Sequence, residues 1–245
     1  MRKVRKEGVT RHIILIRHGQ YDEAPKEDAE RKLTDLGRLQ ADYTGKRIRE
    51  MIEGVQGTDF TPCRVKVVRV SNMARAKETA DIITSHLPDS VEIADPDPDL
   101  NEGRPAHNIP GGRASDSTIE KFDEHHPRIE RAYQKYIHRA PEPKIADSGS
   151  NDEGKEASGD SKEEKEPETK HEFEVIVCHA NVIRYFLCRA LQLPPEAWLR
   201  LCTLNCSLTY LTIRPTGTVS CRMLGDIGHI PYGKCSFSGH HGYNW

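Results

Sequence analysis

The chain has 245 residues, enough for one substantial core, with 38 acidic against 36 basic side chains and a formal net charge of −2. That balance excludes a protein whose whole surface is built to hold a polyanion. Seven cysteines without a Cys-x-x-Cys pair read as reduced, mostly buried thiols in a reducing compartment, and no apolar run reaches the length of a membrane span or a signal-peptide core.

Residues 1–10 form a basic N-terminal segment expected to be solvated. Ile13 to Ile16 is an unbroken apolar run, as expected for a strand buried on both faces of a parallel sheet, and Arg17-His18-Gly19 follows it directly. Residues 21–32 read as a loop. Thr34 then caps a helix with Asp35 in its first turn, and Leu36, Leu39, Tyr43, Met51 and Ile52 predict its buried face. Gly37, costly inside a helix, predicts close approach of a neighbouring backbone.

The valine-rich stretch 64–70 predicts the second strand. Ser71 or Asn72 is expected to cap a helix running to Leu87, with Ala76, Ala80, Ile83 and Leu87 inward. Residues 89–113 form a long connection interrupted by a short apolar piece at 91–94; 118–140 is helical, with a boundary at Pro127 suited to the first position of a second helix. Residues 141–170 are nearly devoid of apolar side chains and predict a disordered insertion within one domain. Residues 173–178 predict a strand leading through His179 into a helix to Leu191, stopped by Pro194-Pro195. Residues 207–224 predict a hairpin turning at 214–217. A Gly-, His- and aromatic-rich tail follows, assigned to 233–245.

The expected architecture is a three-layer α/β/α sandwich with a mostly parallel sheet, one domain spanning 11–232. In such sheets ligands bind beyond the carboxyl ends of the strands. Arg17-His18, Ser71 leading to Arg75, and His179 all follow strand ends. Two arginines and two histidines converging there would form a pocket for a dianion, with guanidinium forks matched to phosphoryl oxygens and helix N-termini adding positive dipole ends. The adjacent pairs His125-His126 and His240-His241 point apart and predict no metal site, and no HExxH or Cys/His spacing adds one. Cys178 reads as a buried strand-end thiol, Arg184 and Arg189 as surface or ion-pair residues, and Asp95, Asp97 and Asp99 as loop carboxylates.

Taken in order, Arg17-His18-Gly19, Leu33-Thr34 with Gly37 and Gln40-Ala41, Ser71 through Arg75-Ala76 to Thr79, and Cys178-His179-Ala180 resemble the histidine phosphatase superfamily. Arg11-His12-Ile13, Gln20-Tyr21, the run from Cys178 to Tyr185, Trp198-Leu199-Arg200-Leu201 and Leu224-Gly225-Asp226 are similar to one branch of it, the mitochondrial serine/threonine-protein phosphatases of the phosphoglycerate mutase family. The likeness runs from Thr10 to Ile230, excluding 141–170.

The resemblance implies a phosphoglycerate mutase-like fold and hydrolysis of phosphoserine and phosphothreonine on proteins, without metal or cofactor. His18 would be the nucleophile that becomes phosphohistidine, and Glu102 the proton donor to the leaving oxygen. Arg17, Arg75 and His179 would hold the phosphoryl group, with Gly19 keeping side-chain bulk away from it. Expected partners are phosphoproteins and further copies of the chain, as a homodimer or larger homo-oligomer, with no nucleic acid. Expected localisation is the mitochondrial outer membrane, reached only through a segment absent from this sequence, with the cytosol as alternative. A small-molecule phosphohydrolase or mutase with the same site, or a non-catalytic mitochondrial signalling scaffold, are the competing expectations; Gln20-Tyr21-Asp22 departs from the glycolytic mutases.

Overall fold

A computed structural model of the chain describes residues 8–54, 56, 62–107, 115–141 and 170–237. Its centre is β1 (Thr10–Arg17), in which all eight residues are buried. Side chains alternate across a strand, so Ile13 and Leu15 join one core while Ile14 and Ile16 join the other. Each such fully buried isoleucine or leucine stabilises the fold by roughly 1.5–3 kcal/mol.

Five further strands complete the sheet: β2 (Val65–Val70), β3 (Glu92–Ile93), β4 (His171–Cys178), β5 (Leu208–Ile213) and β6 (Val219–Asp226). The order is β3-β2-β4-β1-β5-β6. The pairs β1–β4, β2–β3 and β2–β4 are parallel, and β1–β5 and β5–β6 are antiparallel. Helices α1 (Asp35–Glu53) and α2 (Ala74–Thr84) cover one face through Ile48, Ala76, Ala80 and Ile83. Helices α3 (Asp116–Tyr136) and α4 (Ala180–Ala190) cover the other through Ile129, Ala132, Val182 and Phe186. The architecture is the expected three-layer α/β sandwich.

Four local expectations change. The buried face of α1 is Gly37, Gln40, Ala41, Thr44, Gly45 and Ile48, whereas Leu36, Leu39, Tyr43, Met51 and Ile52 are only partly buried. The helix docks so closely that small residues make the closest contact, while Met51 and Ile52 still pack against the core and Tyr43 against a smaller cluster. Thr34 does cap it, accepting from the Gly37 N–H at 3.1 Å. On α2, neither Ser71 nor Asn72 is the cap: Asp28, from the distant loop, accepts from the Ala74 N–H at 2.9 Å, and the helix ends at Thr84 rather than Leu87. Helix α3 is continuous through Pro127; the ring removes one donor, and packing of Ile129, Ala132 and Tyr136 carries the helix past it. Residues 229–237 dock on the domain instead of trailing from it. Ser236 donates to Asn205 Oδ1 at 3.1 Å, and Gln40 Nε2 donates to the Lys234 carbonyl at 2.7 Å. The expected insertion at 141–170, apart from its two end residues, and the tail from 238 lie outside the described residues.

The expected backbone approach at Gly37 is present: a Cβ there would stand 1.9 Å from the Gln20 carbonyl oxygen. Alanine would gain about 1 kcal/mol in helix propensity, but a backbone carbonyl cannot move aside cheaply. Gly37→Ala is therefore expected to lose about 3 kcal/mol of stability in urea titration. Equal or greater stability in the variant would contradict the contact.

His12 is almost fully enclosed, stacked on Phe173 with ring centres 4.2 Å apart and hydrogen-bonded to Tyr210 Oη at 2.6 Å and His171 Nδ1 at 2.8 Å. Burial first, then the charges of His171 and Arg222, push its pKa down to about 4. In the unfolded chain it takes up a proton near pH 6.5, so unfolding binds a proton between those limits and acid favours the unfolded state. Stability should fall by roughly 2–3 kcal/mol from this group as pH drops from 6.5 to 4. Denaturant midpoints at pH 7, 6 and 5 should show the decline, and His12→Gln should flatten it; a flat profile for the parent protein would contradict the assignment.

Candidate active site

The carboxyl ends of β1, β2 and β4 bring Arg17, His18, Ser71 and His179 to one edge of the sheet, and the first turn of α2 adds Arg75; all five are buried. The His18 backbone is clamped on both sides. Its N–H donates to the Cys178 carbonyl at 3.0 Å, and its carbonyl accepts from Asn205 Nδ2 at 3.1 Å. Its ring Nδ1 lies 2.8 Å from the Gly19 carbonyl oxygen. A carbonyl only accepts, so Nδ1 carries the proton and Nε2 keeps the lone pair. Burial, with Arg75 and Arg17 adding to it, holds the His18 pKa well below its ordinary value. The ring is a neutral base at neutral pH.

Arg75 points its Nε–H at His18 Nε2 over 3.3 Å, pairs with Asp28 at 3.1 Å, and lies 4.6 Å over the Tyr21 ring. Tyr21 in turn stands edge-on to His18, with ring centres 5.2 Å apart. Arg17 donates through Nη1 to the Thr203 carbonyl at 2.7 Å, and its buried Nε has no hydrogen-bond partner among the described residues. Burial brings its pKa down to about 10, opposed by Glu102, so it stays cationic near pH 7. His179 stacks obliquely on His18 at 5.0 Å. Its Nε2 meets Ser71 Oγ at 2.8 Å, Ser71 donates to Asn101 Oδ1 at 2.8 Å, and the buried His179 Nδ1 has no hydrogen-bond partner among the described residues. Burial, then Arg75, His18 and Arg17, keep it neutral as well.

Glu102 follows the turn Pro98–Leu100 and is partly exposed. Its Oε1 accepts from the Gly103 N–H at 3.0 Å. Burial raises its pKa above the usual carboxylate range, opposed by the N–H groups of Gly103 and Asn181 and by both arginines. Arg128 braces this turn, donating to the carbonyls of Asn101 at 2.6 Å and Glu102 at 3.1 Å.

The five residues singled out in the sequence thus share one neighbourhood. Several others there were not foreseen. Asp28, Thr203 and Asn205 reach the site from loops whose sequence carries no motif. Arg184, expected as a surface or ion-pair residue, is buried on α4 close enough to Arg17 to lower its pKa; Arg189 does pair outside, with Glu130 at 2.7 Å. Gly19 is also explained differently: its Cβ would stand 2.6 Å from the Gly37 carbonyl, so helix α1 is what requires the glycine. The Ala74 N–H, at the start of α2, is taken by Asp28. Cys178 is buried, and burial pushes its thiol pKa far up, leaving it inert. His125 Nδ1 accepts from the Arg104 N–H, and His126 bonds the Pro105 carbonyl; His240-His241 lie outside the described residues. Among the described residues no group of three His, Cys, Asp or Glu side chains is placed to hold a metal.

A cleft of about 750 Å³ adjoins the site through Tyr21 and Asn205. Its charged walls are Asp22, Glu23, Glu30 and Asp35 against Lys32 and Arg38, four negative groups to two positive.

Residues 13–224 match the profile of the histidine phosphatase superfamily, branch 1. The chain belongs to this superfamily. It is 42% identical over 234 residues to the Caenorhabditis elegans serine/threonine-protein phosphatase Pgam5, mitochondrial, covering 96% of this chain and 69% of that one. It is 40% identical over 233 residues to the human protein of the same name, covering 95% and 68%. Among solved structures, a phosphoglycerate mutase from Plasmodium falciparum superposes with a TM-score of 0.53 at 32% identity, covering 91% of this chain and 96% of that one.

Proposed function

We propose that this histidine phosphatase hydrolyses phosphoserine and phosphothreonine on proteins, in mitochondria and at the outer membrane, by way of a phosphohistidine at His18. The observation that carries the reading is the bond from His18 Nδ1 to the Gly19 carbonyl, which leaves a lone pair on Nε2 facing Arg75. The mitochondrial and protein-substrate parts rest on the names of the relatives. A homodimer or larger assembly rests on the family resemblance.

In the first step the Nε2 lone pair attacks phosphorus, and the bond to the serine oxygen breaks. Arg17 and Arg75 offset the charge on the phosphoryl oxygens, the main task in such transfers. Glu102, held protonated more readily by burial, gives its proton to the leaving oxygen. The phosphorylated ring is cationic, and the Gly19 carbonyl accepts its Nδ1–H. Ser71 donates to Asn101 Oδ1 and accepts from the His179 Nε2–H, which holds that ring in place; binding of the phosphoryl dianion draws a solvent proton onto its Nδ1, which then donates to a phosphoryl oxygen. In the second step water attacks phosphorus, the Glu102 carboxylate takes its proton, and the P–N bond breaks to release phosphate and neutral His18.

The competing small-molecule reading draws on the likeness to a phosphoglycerate mutase. The acidic excess in the adjoining cleft disfavours it, because a phosphoglycerate carboxylate would meet like charge there. The same excess favours phosphopeptides with lysine or arginine beside the phosphorylated residue. With matched peptides, kcat/KM for basic flanks should exceed that for acidic flanks by up to about tenfold, the ratio shrinking as salt is added. Better turnover of phosphoglycerate than of any peptide would overturn the protein-substrate reading.

A further inference from the structure

A second cleft, of about 500 Å³, opens at the other end of the sheet between the start of β1 and the β5–β6 hairpin. From His12 to His18 the extended chain runs about 20 Å, so this cleft is well separated from the catalytic pocket. His12, His171, Thr212, Arg214, Thr218 and Arg222 line it, and none of its described lining residues is a carboxylate. The other described clefts all contain at least one Asp or Glu. A chain with slightly more acidic than basic groups thus gathers two guanidinium groups, two imidazoles and several hydroxyls in one concavity.

The groups are also held in place. Arg222 donates through Nε to Thr212 Oγ1 at 2.8 Å and lies 5.9 Å from the centre of the Tyr210 ring, which fixes the plane of its fork. His171 is tied through Nδ1 to His12 at 2.8 Å, leaving Nε2 as the ring's second polar atom. The turn that presents Arg214 is closed by bonds from Arg214 N–H to the Thr218 carbonyl at 2.9 Å and from Gly217 N–H to the Arg214 carbonyl at 2.8 Å. Planar guanidinium donors beside hydroxyls match a tetrahedral oxyanion.

We propose that this cleft is a second anion-binding site, taking a small soluble phosphate dianion independently of the catalytic pocket. Calorimetric titration of the full chain with inorganic phosphate, at ionic strength held constant with chloride, tests it. Two saturable sites are expected in the parent protein. Arg75→Ala should weaken one of them, the catalytic pocket, and leave the other. Arg214→Glu combined with Arg222→Gln should weaken that other site by about tenfold or more, with aryl-phosphate kcat/KM unchanged within about twofold. Arg214→Glu alone, on an exposed turn, should weaken it in the same direction, which keeps the test valid if the double variant folds poorly. A single phosphate site in the parent protein, or two sites untouched by the Arg214 and Arg222 changes, would overturn the proposal.

Discussion

Replacing His18 with alanine should reduce hydrolysis of both a phosphoserine peptide and an activated aryl phosphate by at least about 10⁴-fold. The reason is geometric. Arg17, Arg75 and His179 would still gather the phosphoryl group, but the ring whose Nε2 faces Arg75 would be gone, and the other neutral imidazole, His179, is tied through Nε2 to Ser71. Cys178 is adjacent in the sheet, yet burial keeps its thiol protonated. Folding should survive, because the His18 backbone bonds to Cys178 and Asn205 do not need the ring. Turnover within about tenfold of the parent would remove His18 from the mechanism.

The second large effect belongs to Glu102 and depends on the substrate. A positioned proton donor is worth about 10²–10⁴ in rate, and most where the leaving oxygen is strongly basic. Glu102→Gln should therefore slow the phosphoserine peptide by about 10²-fold or more while slowing an activated aryl phosphate only a few-fold. Glutamine keeps the size and the bond from the Gly103 N–H, so positioning is preserved. Equal losses on the two substrates would show that the residue shapes the pocket without donating a proton.

Much of the architecture is legible along the chain because its strands carry their own signal. The buried run of β1, the valines of β2 and the apolar β4 each end in a polar residue that the sheet then aligns. The hairpin turn at 214–217 is legible for the same local reason. What is not legible arises from contacts between distant segments. Asp28 sits in a polar loop, and only the folded chain places its carboxylate on both the first turn of α2 and Arg75. Asn205 and Thr203 act on His18 and Arg17 across nearly 190 residues of sequence, through one side-chain amide and one carbonyl. The closest face of α1 is hard to read because glycine and alanine, not leucine, make its tightest packing. Arg184 shows the converse: nothing in the helix sequence marks it as buried beside a second arginine.

The most direct test of the central claim is to trap the covalent intermediate. Parent protein quenched with alkali during turnover of a phosphoserine peptide should carry phosphate that is stable to alkali and lost in acid. Mass spectrometry under alkaline handling should place it on His18, and on Nε2 of the ring, with none on the His18→Ala protein. Phosphate on another residue, or equal labelling of the two proteins, would contradict the account.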